Sequence, residues 1–384
     1  ELSTDHNSAK EQIAVSHDMG GTSQYTLEAT QLSAVLGGQK VLEVPSLQVL
    51  PNEVLVIIGP NGSGKTTLLL CLALLLKPAS GTIYYQGQPV GNGANILEVR
   101  RRFAVVFQDP LLLNTSVWDN VTLGLHLRGV PKGEIKNRAQ RWLERFDIAA
   151  LAQRQAKTLS GGEAKRVSLA RAFALQPEVI FLDEPFTALD SPTRQVLIED
   201  FESVLRETRV TTVMVTHDRN EAVVLASRVA VLIGGYIRQI GQPEDVFSCP
   251  TDEEVASFVE AGNVIQGIVS SQSSGLTSLS VGEQRVDAVS NLKAGTKVTM
   301  FLRQEDITIS LPSLQNAPSS ARNNLAGKIV RVFPQGSQIR VTVDCGFPVV
   351  SLITRRSYDE LGLGLGQEAV VSFKASSVHL MHRR

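Results

Sequence analysis

Gly59-Pro60-Asn61-Gly62-Ser63-Gly64-Lys65-Thr66-Thr67 is the stretch that decides the fold of this chain. Two glycines flank four residues and Gly-Lys-Thr follows, the spacing of a phosphate-binding loop. A polyphosphate needs many backbone N–H donors converging on it, and side chains would block that approach. Glycine at 59, 62 and 64 leaves it open. The loop ends an apolar run, residues 54–58, and opens a helical segment, residues 65–76, whose positive end favours an anion. Lys65 supplies charge to the outer phosphates, and the Thr66 hydroxyl is placed to ligate Mg²⁺. A Gly-Ser turn with an accidental lysine would lack this strand-to-helix setting.

The surrounding pattern is that of an α/β domain. Upstream, residues 25–32 and 40–44 read as strands on either side of a Gly37-Gly38 turn. Downstream, a strand pair is expected around residues 81–86 and 103–107. From about residue 109 to 157 the period changes: Ile135, Ala139, Trp142, Leu143 and Phe146 recur at helical spacing, so a helical insertion is expected there. A helix over 163–175, an apolar strand over 179–182 and another over 211–215 follow. Strands apolar on both faces and alternating with helices argue a parallel sheet covered on two sides.

Residues 179–185 read Val-Ile-Phe-Leu-Asp-Glu-Pro. A buried strand delivers Asp183 to the sheet edge, where it can hold Mg²⁺ through water. Glu184, one residue on, is placed to polarise an attacking water as general base. Acidic residues often merely end a strand; the phosphate loop upstream gives this pair its chemical reading.

Composition sets the outer bounds. The 384 residues exceed one typical domain, and 43% apolar with 20% charged residues is ordinary for a globular protein. A formal net charge of −1 leaves no footprint for nucleic acid, so no such partner is expected. Arg100-Arg101-Arg102 and Arg355-Arg356 read as solvated faces. Cys71, Cys249 and Cys345 are far apart and lack metal-ligand spacing, which favours a reducing compartment. The longest apolar stretch, residues 68–76, falls well short of the roughly 20 residues of a membrane span. Residues 1–23 are polar, lack an apolar signal core and read as a flexible leader.

Leu159-Ser160-Gly161-Gly162-Glu163 resembles the signature turn of ABC ATPases. Such a turn opens a helix and makes a second anion site, with Ser160 and the backbone of Gly161 and Gly162 aimed at a γ-phosphate. It is also a capping box, Ser160 with Glu163, and the two readings are compatible. Gln108 resembles the Q-loop glutamine that senses metal and γ-phosphate. Ala188-Leu189-Asp190 resembles the D-loop, and His217, 34 residues beyond Asp183, the switch histidine. The resemblance covers about residues 25–260. It implies a P-loop NTPase core of α/β class with an antiparallel β subdomain and a helical subdomain at about 109–165, together filling 24–260.

ATP and Mg²⁺ are the implied ligands. Residues Gly59 to Thr67 cradle the phosphates, Thr66, Gln108 and Asp183 hold the metal, and Glu184, His217, Gln108 and Lys65 carry catalysis. One phosphate loop and one signature turn per chain imply a homodimer, with Ser160, Gly161, Gly162 and Asp190 of one copy reaching the nucleotide of the other. The helical insertion would pass motion to an integral-membrane permease. The family stacks adenine on an aromatic residue roughly two dozen positions before the loop; here Leu36 or Val35 stands there, so a weaker base contact is expected.

Beyond Ala261-Gly262 the chain becomes Val-, Ser- and Gly-rich in short alternating runs, the pattern of a small β-barrel. Residues 263–269 resemble 323–330, and 294–309 align without gaps to 365–380, setting Gly295 on Gly366. Residues 261–384 are therefore expected to hold two similar modules. Residues 319–330 resemble the start of a TOBE or Mop module, a small all-β, OB-like domain that holds tetrahedral oxyanions in molybdate/tungstate importer ATPases. Ser319, Ser320, Arg322, Asn323 and Lys328 are the candidate oxyanion ligands, a plain strand entry being the alternative.

The resemblance implies an ATPase subunit at the cytoplasmic face of the cell membrane. It would drive tungstate or molybdate uptake through a separate permease, fed by an extracytoplasmic substrate-binding protein. Sulfate, ferric iron, polyamine or sugar are the alternative cargoes, and a tail that senses oxyanion and inhibits the ATPase is compatible with either. A non-transport ABC ATPase is the reading from a different class.

Overall fold

The structure is a computed structural model in which residues 24–91, 95–259, 262–312 and 320–382 are described. The expected leader and Ser319 lie outside the described residues. The first part of the chain runs β1 (Leu27–Leu36), β2 (Gln39–Val49), β3 (Val54–Ile58), α1 (Lys65–Leu72), β4 (Ser80–Tyr85), β5 (Gln88–Val90), α2 (Asn95–Arg101), β6 (Phe103–Val106), α3 (Val117–Leu127) and α4 (Lys132–Arg145). It continues with α5 (Gly161–Ala174), β7 (Val179–Asp183), α6 (Ser191–Thr208), β8 (Thr211–Thr216), α7 (Arg219–Leu225), β9 (Arg228–Ile233), β10 (Tyr236–Gly241), α8 (Pro243–Ser248) and α9 (Glu253–Phe258).

Two sheets organise these elements. One is antiparallel with order β2-β1-β4-β5; the other has order β10-β9-β3-β8-β7-β6 and is parallel except at β10. Helix α1 lies between them, burying Leu68, Leu69, Cys71 and Leu72 against Leu32 and Val44 of one sheet and Leu55 and Ile57 of the other. The opposite face of the large sheet, with Val56, Ile58, Leu182 and Met214, packs on α3 to α7. Because β3, β7 and β8 are parallel, the phosphate loop, Asp183-Glu184 and His217 all emerge at one edge of the sheet, where ligands of open α/β sheets bind.

Two sequence expectations need correction. The segments at 81–86 and 103–107 do not pair: β4 lies antiparallel to β1, whereas β6 lies parallel to β7 at the edge of the other sheet. Strand periodicity carries no information about which sheet a strand joins. The helix expected to reach 76 stops at Leu72, because Leu74 takes a φ of +60° and the amides of Leu75 and Leu76 turn back to the Leu70 carbonyl. An aromatic ladder ties the insertion to the core: Trp142 lies 4.9 Å from Phe173, Phe173 6.0 Å from Phe201, and Phe201 5.5 Å from Phe186. Phe186 stands two positions after Glu184, so the ladder ends beside that residue.

The second part holds β11 (Asn263–Ser273), β12 (Leu276–Val281), β13 (Gln284–Val289), β14 (Lys297–Leu302), β15 (Thr308–Ser310), β16 (Asn323–Gln335), β17 (Gln338–Asp344), β18 (Pro348–Thr354), α10 (Arg355–Glu360), β19 (Glu368–Phe373) and β20 (His379–His382). They form two antiparallel sheets, β13-β12-β11-β14-β20 and β18-β17-β16-β19-β15. The alignment that sets Gly295 on Gly366 also sets Lys297 on Glu368 and Leu302 on Phe373, the two ends of β14 and β19. The last strands are exchanged: β15 follows β14 yet pairs with β19, and β20 follows β19 yet pairs with β14. One shared core results, running from Val269 and Leu279 through Leu325 to Val371. No helix of the described residues is long and apolar enough to cross a membrane.

Two buried asparagines lock the exchange. Asn263 heads β11 and bridges the backbone of Val350 on β18, accepting from its N–H at 2.6 Å and donating to its carbonyl at 2.9 Å. Asn323 heads β16 and treats Asp287 on β13 the same way, at 2.7 and 2.9 Å. Each sheet is thus pinned by the first residue of the other. Asn323→Ala leaves a buried N–H and a carbonyl without partners, an expected loss of about 2–4 kcal/mol. Chemical denaturation should show it as a lower midpoint for the second part, with ATP hydrolysis unchanged in buffer.

Candidate nucleotide site

The phosphate loop is built by the strand before it and the helix after it. A Cβ at Gly59 would meet the Leu232 carbonyl at 2.1 Å, and one at Gly64, whose φ is +98°, would meet the Val41 carbonyl at 2.8 Å. Both glycines therefore serve close packing on neighbouring strands, a duty the phosphate argument alone does not supply. Gly62, at φ +79°, faces open space, as a phosphate cradle requires. Pro60, Asn61 and Thr66 are exposed, while Ser63 and Lys65 are buried and Gly64 and Thr67 half-buried.

Lys65 donates to the carbonyls of Gly59 at 2.9 Å and Pro60 at 3.1 Å. Burial lowers its pKa, while the charges of Glu184 and Asp183 oppose the shift. The Thr66 hydroxyl donates to Asp183 Oδ1 at 2.9 Å. Asp183 is buried, and desolvation raises its pKa against the Thr66 hydrogen bond and the nearby Lys65 and Lys165.

Glu184 sits at φ +43°, a left-handed conformation rare outside glycine and concentrated at functional sites. Its N–H is held by the Val215 carbonyl at 2.9 Å, and its Oε2 lies 3.1 Å from Nδ1 of His217. Glu184, Asp183, Lys65, Thr66 and His217 thus meet at one sheet edge. Gln108 is exposed, and its carbonyl accepts a hydrogen bond from Lys165.

The residues fit a magnesium nucleotide. Ser63 Oγ is buried without a hydrogen-bond partner among the described residues, and Thr66 and Asp183 already bring a hydroxyl and a carboxylate together. No group of three or more His, Cys, Asp or Glu side chains among the described residues makes a metal cage. Mg²⁺ takes one or two protein ligands beside substrate phosphates, the number that Thr66 and Asp183 supply.

A second cluster lies apart. Ser160 caps α5 with a capping box, its Oγ accepting from Glu163 N–H at 3.3 Å while Glu163 Oε2 accepts from Ser160 N–H at 2.7 Å. Ser160, Gly161 and Gly162 share one open cleft of about 490 Å³ with Ala188 and Asp190, and Asp190 caps α6. Among the described residues, no side-chain hydrogen bond or ion pair of Ser160 or Asp190 reaches the Lys65 cluster.

Two features escaped sequence reasoning. Lys165 on α5 is buried within reach of the charges of Asp183 and Glu184 and ties α5 to the backbone of Gln108; a helical lysine ordinarily reads as solvated, so no local signal marks it. Arg194 on α6 bridges Asp218 at 2.6 Å and buried Glu221 at 2.5 Å, and Glu221 accepts from Thr216 Oγ1 at 2.6 Å. This network joins the helix after Asp190 to the residues flanking His217.

Of the oxyanion ligands expected in the tail, Ser319 lies outside the described residues and the others are strung along the entry to β16. The Asn323 amide bridges the Asp287 backbone. Lys328 stands five residues along β16 from it, about 17 Å away at strand rise. Ser320 and Arg322 are exposed. Leu36 and Val35 flank the β1–β2 turn and are 46% and 48% exposed, open to a base rather than packed inside.

Comparison with known proteins agrees with this geometry. Residues 42–187 match the ABC transporter family and residues 319–380 the TOBE domain family. The molybdate/tungstate import ATP-binding protein WtpC of Pyrococcus horikoshii is 35% identical over 337 residues, covering 87% of this chain and 94% of that protein. The spermidine/putrescine import ATP-binding protein PotA of Mesorhizobium japonicum is 31% identical over 363 residues, 89% and 96% of the two chains. Among solved structures, cbiO1 of Clostridium perfringens, part of an ABC transporter complex, superposes with TM-score 0.55 at 30% identity over 62% of this chain and 95% of its own. The dimeric cassette MJ0796 bound to ADP and Pi gives 0.52 at 28% identity over 56% and 98%. With relatives of this kind matched along nearly their whole length, the chain belongs to the ATP-hydrolysing import subunits of ABC transporters, those whose ATPase domain is followed by a TOBE domain.

Proposed function

We propose that two copies of this chain clamp two ATP molecules and use their hydrolysis to drive tungstate or molybdate import through a separate permease at the cytoplasmic face of the membrane. The observation that carries the dimer is the separation just described: the Lys65 cluster has phosphate donors and a base but no second anion-binding turn. The Ser160 turn has the donors and no phosphate loop. A second copy supplies each with what it lacks. Loss of the bridging charge on hydrolysis opens the pair.

Glu184 orients and deprotonates the attacking water, and Lys65 exchanges its loop carbonyls for phosphate oxygens. Thr66, Asp183 and Gln108 would hold Mg²⁺, which would supply charge neutralisation of the phosphates when nucleotide is bound. A neutral His217 that donates Nδ1–H to Glu184 presents a bare Nε2; only the imidazolium donates to both Glu184 and a γ-phosphate. Gln108, moved through Lys165 with α5, links nucleotide state to the helical insertion. The exposed leucines 111, 113 and 127 of that region suit a permease surface.

Leu36 lies against the base, in the role an aromatic ring fills elsewhere. Leu36→Gly should weaken ATP binding by less than about tenfold, since only an aliphatic contact is lost. Unchanged ATP affinity on calorimetry would remove Leu36 from the base site.

The WtpC relatives favour oxyanion cargo, and PotA, at similar identity, favours a polyamine as the second reading. Deleting the gene should abolish tungstate and molybdate accumulation while spermidine uptake continues. Loss of spermidine uptake alone would overturn the oxyanion assignment in favour of the second reading.

A further inference from the structure

A cavity of about 620 Å³ at the domain junction lies between α7 and α8 of the ATPase part and the two exchanged sheets of the tail. Three arginines from three segments line it: Arg219 at the start of α7, Arg303 after β14 and Arg340 on β17. Arg219 donates to the Val259 carbonyl and Arg340 Nε to Gln304 Oε1 at 3.1 Å. Arg303 is half-buried, yet its guanidinium has no hydrogen bond or ion pair among the described residues. A guanidinium left without a counter-charge in a cavity wall is a ready partner for an anion. Its counterpart in the aligned repeat, Lys374, is exposed, so only the copy facing the ATPase part turns its cation inward. Glu244 and Glu305, also at the rim, are exposed and screened by water.

We propose that this cavity binds a small organic anion, a carboxylate or phosphate ester. Its charged end would rest on Arg303 and Arg340, and its apolar body on Phe247, Val259 and Leu352. The volume and the apolar wall favour such a molecule over a bare inorganic oxyanion. Arg219, two residues after His217, lines the same cavity, so the occupant would lie between the tail and α7. The site is independent of the cargo assignment.

Calorimetry and thermal melting on the full chain without nucleotide test it, with citrate, glucose 6-phosphate and sodium tungstate as probes and glucose as neutral control. One or both organic anions should bind saturably and raise Tm, and Arg303→Ala should weaken that binding about tenfold or more. Arg303→Lys should recover part of it, while Arg356→Ala, on the exposed α10, should bind as the parent does. Absence of binding by both organic anions, unaltered binding in Arg303→Ala, or tungstate bound in preference to both overturns the proposal. Because nucleotide is left out, none of these results touches the ATPase reading.

Discussion

Glu184→Gln should lower kcat for ATP by about 10²–10⁴ while leaving ATP binding intact, which is the range a positioned general base supplies. The substitution keeps the size of the side chain and its contact with His217, because the amide oxygen still accepts from Nδ1–H. What disappears is the ability to take a proton from water. Lys65 and the loop amides are untouched, so nucleotide still enters, and the γ-phosphate still bridges two copies. The variant should therefore run as a dimer on size exclusion with ATP, and as a monomer without it. The parent should release the dimer as it turns over. Hydrolysis at the parental rate would remove Glu184 from the chemistry and leave its φ of +43° unexplained. Slow hydrolysis without dimer accumulation would keep the base and discard the clamp.

Much of this site was legible in the sequence because its residues travel in short motifs whose neighbours fix them. The glycines, Lys65 and Thr66 sit on one strand-to-helix turn, Asp183-Glu184 end one strand, and Ser160 to Glu163 open one helix. The parallel order that brings the strand ends to a common edge follows from their two-sided apolar character. What could not be read was set by contacts distant in the chain. Nothing local told that β4 would leave β6 for β1, or that Lys165 would be drawn under Gln108. Ser320, Arg322, Asn323 and Lys328 are close in sequence, but an extended strand spreads sequence neighbours over tens of ångströms and alternates their faces. Asn323 also has a counterpart, Asn263, at the same place in the other half of the repeat. A polar residue that heads the same strand in both copies points to a structural duty, and the structure shows that duty.

Mixing two inactive variants should restore hydrolysis, and this result discriminates most sharply between a shared site and a self-contained one. Lys65→Ala removes the phosphate-loop charge, and its homodimer should lose ATPase activity by a factor of about 10² or more, as loss of a preorganised charge at the reacting phosphate does. Gly161→Asp places a carboxylate where the γ-phosphate of the other copy would lie. It has room to fold, since a Cβ there meets only the Ala188 carbonyl at 4.0 Å, and an acidic residue suits the first turn of a helix. Its homodimer should be inactive as well. In an equal mixture about half of the dimers are mixed, and each pairs one intact Lys65 with one intact Ser160 turn across the same nucleotide. One of its two sites is whole, so about a quarter of the parental rate should return if that site works alone. A self-contained site would leave the mixture as inactive as its parts, because each chain would carry its own defect into every dimer. Titrating one variant into the other at fixed total protein should give a maximum at equal amounts, a shape that neither contamination nor partial activity of a single variant produces.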